Sequence, residues 1–512
     1  MAKQKKQSEP VYTVKPVFLY GVAFIAGFFI MVLEMLGFRL LAPYFGYSTY
    51  VWGSLIGIIM AALALGYLWG GFLADRYSID WLGFWALLLS GFYTTGLSFT
   101  YKKILLFSQG LGLTGGSIAA SMILFALPML MLSTVSPLVI KMLAREDKIG
   151  STAGRIYSIS TVGSIAGTFL ASFYFIPVLG SHKTMIICAV VLIMAGVAGF
   201  FLHKKKSIIL LIFIGLAAGN YPEPMPGANV VYAGESPYSH VRVEALGKWL
   251  ILKPGNNFIH SIYNPDHILS GNVWDYYCLA PCIQNKAQNC LVLGMGGGTS
   301  VRQYLHYWPD LHIDALDIDP LMIEVATGMF DIPKDSPRLN LILEDARSYL
   351  AGHPEKKYDF IQVDLYRGGV DIPFYLTTRE FFTLCQERLK PGGMIIMNVN
   401  VLKDPAAGTP TLYGCIGHTL AELFPSLYSI SLDSGNSIFL SFSEEKSLED
   451  LKQKLQNHGS IPGDLQKLTF DSSLNISAYQ QDDSSFIITD DKAPIDQLTY
   501  PIAVEAFKHS SK

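Results

Sequence analysis

Asn289-Cys290-Leu291-Val292-Leu293-Gly294-Met295-Gly296-Gly297-Gly298-Thr299-Ser300, followed by Leu316-Asp317-Ile318-Asp319-Pro320, is the stretch whose reading decides the fold. An apolar run passes into a glycine cluster and then into an amphipathic stretch carrying Val301, Tyr304 and Leu305. That pattern predicts strand, tight turn and helix. His312 to Ile318 predicts a second strand with an acid at its carboxyl end. About 20 residues separate glycines from acid, the spacing of a nucleotide-binding βαβ unit. The glycines let backbone approach a ligand and the acid accepts ribose hydroxyls. A glycine cluster alone would fit an ordinary βα turn, and the spaced acid tips the reading toward a nucleoside.

Downstream, strand-like and helix-like segments alternate from Cys290 to about Asn400, which predicts a doubly wound, mainly parallel sheet. In such sheets the ligand lies outside the carboxyl ends of the strands. Leu339 to Leu343 ends at Glu344-Asp345-Ala346, Phe360 to Val363 ends at Asp364, and Met394 to Val399 ends at Asn398 and Asn400. Asp317, Asp345 and Asp364 are therefore expected to converge on one crevice. A lone aspartate after a strand is commonly a helix cap, whereas three at successive strand ends beside a glycine turn point to a site. Lys390-Pro391-Gly392-Gly393 reads as a turn before a strand. Upstream, Tyr221 to Gly227 reads as a linker, and Val230 to Val243, Trp249 to Leu252 and Phe258 to Tyr263 as a small β-rich lid module with a turn at Pro254-Gly255-Asn256-Asn257.

Composition divides the chain further. Its 512 residues exceed one ordinary domain, and 51% hydrophobic against 15% charged content is too apolar for a purely soluble protein. Six segments meet the roughly 20 apolar residues that a crossing helix needs: Val17 to Gly37, Val51 to Leu73, Trp81 to Ser98, Ile118 to Met142, Ile156 to Val178 and Met185 to Leu202. Ser207 to Gly219 is apolar but short. Met1 to Pro16 carries four lysines and no cleavage site, and reads as a cytosolic flank. Arg76, the basic loop Lys141 to Arg155 and Lys204 to Lys206 then lie inside. An even count of spans keeps the soluble half inside as well, which requires either that 207–219 does not cross or that a further span lies around Leu105 to Leu113. Glu34 within the first span is either a functional carboxylate or a packing partner of Arg39 or Arg155. Small residues in Ala61 to Gly71 and Gly154 to Gly167 are spaced for close helix approach. The net charge of -3 gives no reason to expect nucleic acid, and the six cysteines show no zinc spacing and read as packing residues.

These motifs resemble a known family. Gly294 to Gly298, Leu316 to Pro320, Glu344-Asp345-Ala346, Val363-Asp364-Leu365, Leu376 to Phe382 and Leu389 to Gly393 are similar to the successive motifs of spermidine synthases, the polyamine aminopropyltransferases. The whole chain resembles the membrane-fused spermidine synthase-like proteins of bacteria, through Glu34 to Arg76, Gly154 to Gly180, Gly234 to Tyr238, Ser261 to Pro265 and Thr489 to Pro494. The resemblance implies a multi-span α-helical membrane domain fused to an α/β Rossmann-like domain of the S-adenosylmethionine-dependent transferase type, with a small β-rich N-terminal module. Its expected divisions are a basic tail at 1–16, a membrane domain of six to eight spans at 17–219, the linker and lid at 220–285, and the catalytic domain at 286–512.

The family's roles, carried onto matching residues, give Gly294, Gly296 and Gly298 to the nucleoside and its methionine-derived tail, Asp317 to the ribose, and Asp345 with Ala346 to the adenine edge. Asp364 falls at the catalytic base, which takes a proton from the attacking amine. Tyr238, Asp275, Tyr276 and Tyr366 are expected to line the substrate pocket, with packing of a helix onto the sheet as the alternative for residues 275–277. The sulfonium leaves without acid assistance, so no metal is expected.

Departures are specific. Thr299-Ser300 stands where the family has an amine-binding aspartate, Asp275-Tyr276-Tyr277 where it has Tyr-His-Glu, and Leu365-Tyr366-Arg367-Gly368 where it has Ser-Ser-Asp-Pro. The expected activity is aminopropyl transfer from decarboxylated S-adenosylmethionine to a small or membrane-associated amine. Methyl or alkyl transfer from S-adenosylmethionine itself is the second reading, favoured by the lost acids and by Arg367. A nucleoside-sensing module on a transporter-like membrane half is the third, since Gly70 to Arg76 resembles a loop motif of major facilitator transporters. The expected location is the cell inner membrane, multi-pass, with the soluble half cytoplasmic and a homodimer as an option.

Overall fold

The computed structural model describes residues 14–45, 49–77, 81–144, 148–202, 229–254, 258–402, 405–406, 408–457, 459 and 461–510. The basic tail before residue 14, Lys204 to Lys206, the short apolar segment 207–219, the linker 221–227 and the turn 255–257 lie outside them. The described residues form two compact units, 14–202 and 229–510.

The first unit contains six helices of the length and composition suited to a multi-pass membrane protein: Pro16–Ala42, Thr49–Arg76, Leu82–Gln109, Thr114–Leu143, Ile149–Ile176 and Gly180–Leu202. The further span considered around Leu105 to Leu113 is not one. Residues up to Gln109 finish the third helix, and backbone bonds from Gly110, Leu111 and Gly112 close a turn before the fourth. Small residues set the helix contacts, because a Cβ on Gly163 or Gly167 would lie 2.3 Å from the carbonyl oxygens of Phe24 and Phe28. Gly66 likewise faces the Leu130 carbonyl, whereas Gly154 meets nothing within 4 Å. Pro128 has no N–H for the carbonyl five residues earlier, in a widened helical segment at Met122–Ala126, and the Tyr93 hydroxyl donates to that Ile123 oxygen instead. Asp75 and Lys141 pair at 3.6 Å, so the end of the second helix and the end of the fourth share one side.

In the second unit a four-stranded antiparallel sheet comes first: β1 (Val230–Glu235), β2 (His240–Leu246), β3 (Trp249–Pro254) and β4 (Ser261–Tyr263), in that order. Val241, Val243 and Leu252 alternate onto one face and pack on Met322, Val325 and Phe330. The larger, mixed sheet contains β5 (Asn289–Leu293), β6 (His312–Asp317), β7 (Leu339–Leu343), β8 (Tyr358–Val363), β9 (Leu389–Asn400), β10 (Ser426–Leu432), β11 (Asn436–Phe442) and β12 (Ile476–Ala478). Its order is β12-β10-β11-β9-β8-β5-β6-β7, with β9 through β7 mutually parallel and β11 antiparallel to both β9 and β10.

The period-two alternation of side chains sends Cys290, Val292 and Phe360 to one core and Leu291, Leu293, Ile361 and Val363 to another. Both faces of the sheet are thereby covered, which is why these strands read as unbroken apolar runs. Lys390 to Gly393 does not precede β9 as a turn. It lies within the strand as a bulge, since Tyr358 pairs with Leu389 and Phe360 already with Met394. Gly392 at φ +71 and the Lys390 to Asp359 bond of 2.8 Å hold the bulge. The order runs outward from β5 through β6 in one direction and from β8 through β9 in the other, so the strands' carboxyl ends open a crevice between β5 and β8. All six cysteines are buried and unpaired.

Candidate functional site

The glycine turn closes the carboxyl end of β5. Gly294 has φ +82, and a Cβ there would stand 2.2 Å from the backbone oxygen of Asp364. Its N–H and that of Met295 both reach the Leu316 carbonyl, at 3.1 and 2.9 Å. Gly296 has φ +52, and Gly298 at φ +81 starts the helix Thr299–Tyr307. Each adopts a backbone conformation that side chains disfavour. The lid sheet braces this turn: Ser261 Oγ accepts the Gly297 N–H at 2.9 Å, and Thr299 Oγ1 binds both the N–H and the carbonyl of Ile262 at 3.0 Å. Ser300 Oγ accepts from Gln362 at 2.9 Å. The two hydroxyls at the place of the family's amine-binding acid are therefore committed to holding protein.

Asp317 ends β6 and faces the turn. Its Oδ2 accepts the Gly296 N–H at 3.0 Å and its Oδ1 the Asp319 N–H at 2.9 Å. Burial pushes its carboxyl up to about 7, against those N–H bonds, which favour the charged form. Asp319 serves the fold instead. Its buried Oδ2 accepts from Ser236 Oγ at 2.7 Å and Ser239 Oγ at 2.6 Å, and its Oδ1 caps the next helix through Leu321 N. This carboxylate ties the β1–β2 turn to the end of β6. Asp319→Ala removes the carboxylate acceptor of two buried hydroxyls, leaving Ser236 only its longer bond to the Ser239 carbonyl, and removes a cap, at a cost of roughly 2–4 kcal/mol. The expected result is a fall of several degrees in the thermal midpoint of the detergent-purified protein, and an unchanged midpoint would refute the anchor.

Asp345 follows β7 and caps the helix Ala346–Gly352, accepting from Arg347 N at 3.1 Å and Ser348 N at 3.0 Å. Its other oxygen accepts from Tyr375 Oη at 2.9 Å. Ala346 is buried at the first position of that helix. The Arg347 guanidinium makes two bonds to Asp490, of 2.7 and 2.5 Å, and a third to the Tyr375 carbonyl. Asp490 thus closes on Arg347, while Arg379 meets the same segment through its N–H on the Ile488 carbonyl.

Asp364 stands just past β8, its N–H on the Leu293 carbonyl at 3.0 Å. It keeps part of its surface open, yet the surrounding protein withdraws it from water and pushes its carboxyl up to about 7. Tyr277, Asn398 and Trp274 side chains face it as donors and oppose that rise. The Tyr277 hydroxyl is fully buried and has no hydrogen bond of ordinary geometry. It is aimed at Asp364, and burial first and then that carboxylate push its phenol well above the ordinary range. Tyr366 Oη donates to the Asn398 carbonyl at 3.2 Å and accepts the Asn400 N–H at 3.1 Å, so it walls this pocket.

Asp275 is differently employed. Its carboxylate accepts from Ser270 N, Ser270 Oγ, Gly271 N and Gln303 Nε2 at 2.8, 2.7, 2.7 and 2.6 Å. That arrangement fits the packing alternative. Tyr276 lies half-buried near the carboxylates of Asp471, Asp275 and Asp433. Tyr238 is exposed, its N–H on Ser236 Oγ, on the side of Tyr375. Arg367 pairs with Asp371 at 3.0 Å. The structure joins the glycine turn directly to Asp317 and Asp364, and sets Asp345 on the adjoining strand end. Trp274 has no signal in the sequence, because what brings it to Asp364 is the packing of its short helix rather than any local pattern.

Comparison with known proteins gives the same direction. A model of the spermine/spermidine synthase domain matches residues 278–404. A Bifidobacterium longum protein named "Probable polyamine aminopropyl transferase" is 30% identical over 285 residues, which is 53% of this chain and 62% of that one. The chain therefore spans less than two thirds of that relative's length. A "Malonyl-[acyl-carrier protein] O-methyltransferase 1" of Ilyobacter polytropus is 43% identical over 76 residues, 15% of this chain and 26% of that one. The crystal structure of "a probable spermidine synthase" from Corynebacterium glutamicum superposes with TM-score 0.38 at 18% identity, over 50% of this chain and 97% of that one. The chain is thus homologous to the polyamine aminopropyltransferases at moderate-to-low identity.

Proposed function

We propose that this protein is a membrane-bound transferase that moves an aminopropyl group from decarboxylated S-adenosylmethionine to an amine acceptor, on a Rossmann-like domain spanning 286–512 with 220–285 as linker and lid. The observation that carries the reading is Asp364, a partly open carboxylate ringed by three side-chain donors and abutting the glycine turn. The residues suit a nucleoside: Gly296 offers backbone that no side chain crowds closer than 3.0 Å, and Asp317 offers a half-open carboxylate beside it. The bound cosubstrate supplies a sulfonium whose adjacent methylene carbon is the electrophile. Asp317 would hold the ribose hydroxyls, and Asp345 with Ala346 the adenine edge. Asp364 would orient the acceptor and take its proton as the new C–N bond forms and the C–S bond breaks. Tyr277 and Asn398 would hold Asp364 in place, and Tyr366 would exclude water.

The base must be ionised to act, so kcat/KM is expected to rise with pH through a midpoint near 7. A midpoint below about 5, the range of an unperturbed carboxylate, would refute the assignment. Stability runs the other way. Asp317 and Asp364 both have raised values, so their contribution is full below about pH 4 and is lost as pH rises through about 7.

Methyl transfer from intact S-adenosylmethionine is the second reading, supported by the commitment of Thr299 and Ser300 to protein contacts and by the methyltransferase relative. Thermal shifts with decarboxylated S-adenosylmethionine, S-adenosylmethionine and methylthioadenosine separate the two, since selective binding raises stability. No shift with any of the three would end the nucleoside reading. We further propose that the six helices hold the enzyme in the inner membrane with the transferase unit on the cytoplasmic side, where it would meet its cosubstrate.

A further inference from the structure

Asn398 faces Asp364, and Asn398 is itself held. On β9, Asn398 and Asn400 lie two residues apart and so share one face of the sheet. Asn436 opens β11, pairs with Asn400 and sits diagonally to Asn398. Its Nδ2 donates to Asn398 Oδ1 at 3.0 Å and to Asn400 Oδ1 at 2.9 Å, using both of its hydrogens. Its own Oδ1 accepts from Ser434 Oγ at 3.1 Å, in the turn between β10 and β11. Each amide therefore has its oxygen satisfied from the hairpin side. With Oδ1 of Asn398 occupied, what remains to face Asp364 is its Nδ2, a donor.

We propose that Asn436 is a positioning residue for the transfer reaction: it fixes the sense of the Asn398 amide so that Asn398 can only donate to Asp364. It rests on the reading of Asp364 as base. The reverse sense would set Asn398 Oδ1 against the carboxylate, an arrangement tolerable only when Asp364 carries a proton. The β10–β11 hairpin, separated by β9 and β8 from β5 and its glycine turn, thereby governs the protonation of the reacting carboxylate from outside the site. The titratable groups that face Asp364 are Tyr277, from the short helix Val273–Cys278, and Tyr366, from its own loop. Asn398 and Trp274 are its other facing side chains, and among the described residues no charged side chain contributes to its shift.

The test is a double-mutant cycle on the full-length protein in detergent, read by difference infrared titration of the carboxyl stretch that Asp364→Asn abolishes. This readout needs no turnover, so it stands even if every amine acceptor fails. Asn436→Leu is expected to raise the Asp364 midpoint by about 0.5–1 pH unit, the worth of roughly one weakened charged hydrogen bond. Asn398→Leu should raise it at least as much, and Asn436→Leu added to Asn398→Leu should raise it no further. Should Asn436→Leu fail to fold, Asn436→Thr, which suits a strand and lacks the amide, takes its place. An unchanged midpoint, or a shift that persists in the Asn398→Leu background, would overturn the proposal, because a merely structural role for Asn436 does not depend on Asn398.

Discussion

Asp364→Asn is expected to lower kcat/KM by about 10²–10⁴-fold, the range lost with a positioned proton acceptor. The amide occupies the same volume and can still meet Tyr277 and Asn398, but it cannot accept the proton of the incoming amine. Thermal stabilisation by the nucleoside cosubstrate should survive, because Asp317 and the glycine turn are untouched. At pH 5, where the native carboxyl is itself protonated and neutral, the variant should be stabilised as much as the native protein. Stopped-time assay of the transferred product beside a thermal shift measurement checks both halves. Full turnover in the variant would remove Asp364 from the chemistry, while loss of both turnover and stabilisation would mean that the substitution had damaged the nucleoside site instead.

Gly294→Ala is expected to be the most damaging single change to the fold of the site. The new methyl would lie 2.2 Å from the Asp364 carbonyl oxygen, a distance no repacking of a flexible side chain can relieve. The obstacle is backbone just past the end of the neighbouring strand β8, and φ +82 adds left-handed strain of about 1–2 kcal/mol. β5 and β8 would have to part where the crevice opens. We expect a thermal midpoint lower by several degrees and no stabilisation by any S-adenosyl compound. Gly328→Ala is the matched control: it lies in the helix Pro320–Met329 with nothing within 4 Å of the added carbon, and should be neutral or slightly stabilising. Equal behaviour of the two variants would show that the turn is not under the constraint described.

What could be read from the sequence was what depends on neighbours along the chain. Gly294 to Gly298 and the acids at 317, 345 and 364 announce themselves because a glycine turn and a strand end are local patterns, and parallel order follows from alternating strands and helices. The donors around Asp364 do not share that property. Tyr277 reaches it through the packing of a short helix, and Asn436 reaches Asn398 through antiparallel pairing with β9, which no local spacing encodes. The same limit explains Asp345 and Asp319. Both sit where a site acid would sit, yet much of their bonding capacity goes to caps and to the lid's serines. Lys390 to Gly393 has the composition of a turn, and only the partner strand's register makes it a bulge.

The burial of all six thiols has a practical consequence for sidedness. Cys278 and Cys290 are pushed well above the usual thiol range by burial, and none of the six presents sulfur to solvent. Toward an impermeant maleimide the native chain is expected to behave as if it carried no cysteine at all. Leu111→Cys and Lys148→Cys, at exposed positions flanking opposite ends of the helix Thr114–Leu143, would each be the sole reactive group in the molecule. Labelling of one in intact cells and of the other only after lysis would assign each end of that helix to a compartment without rebuilding the protein.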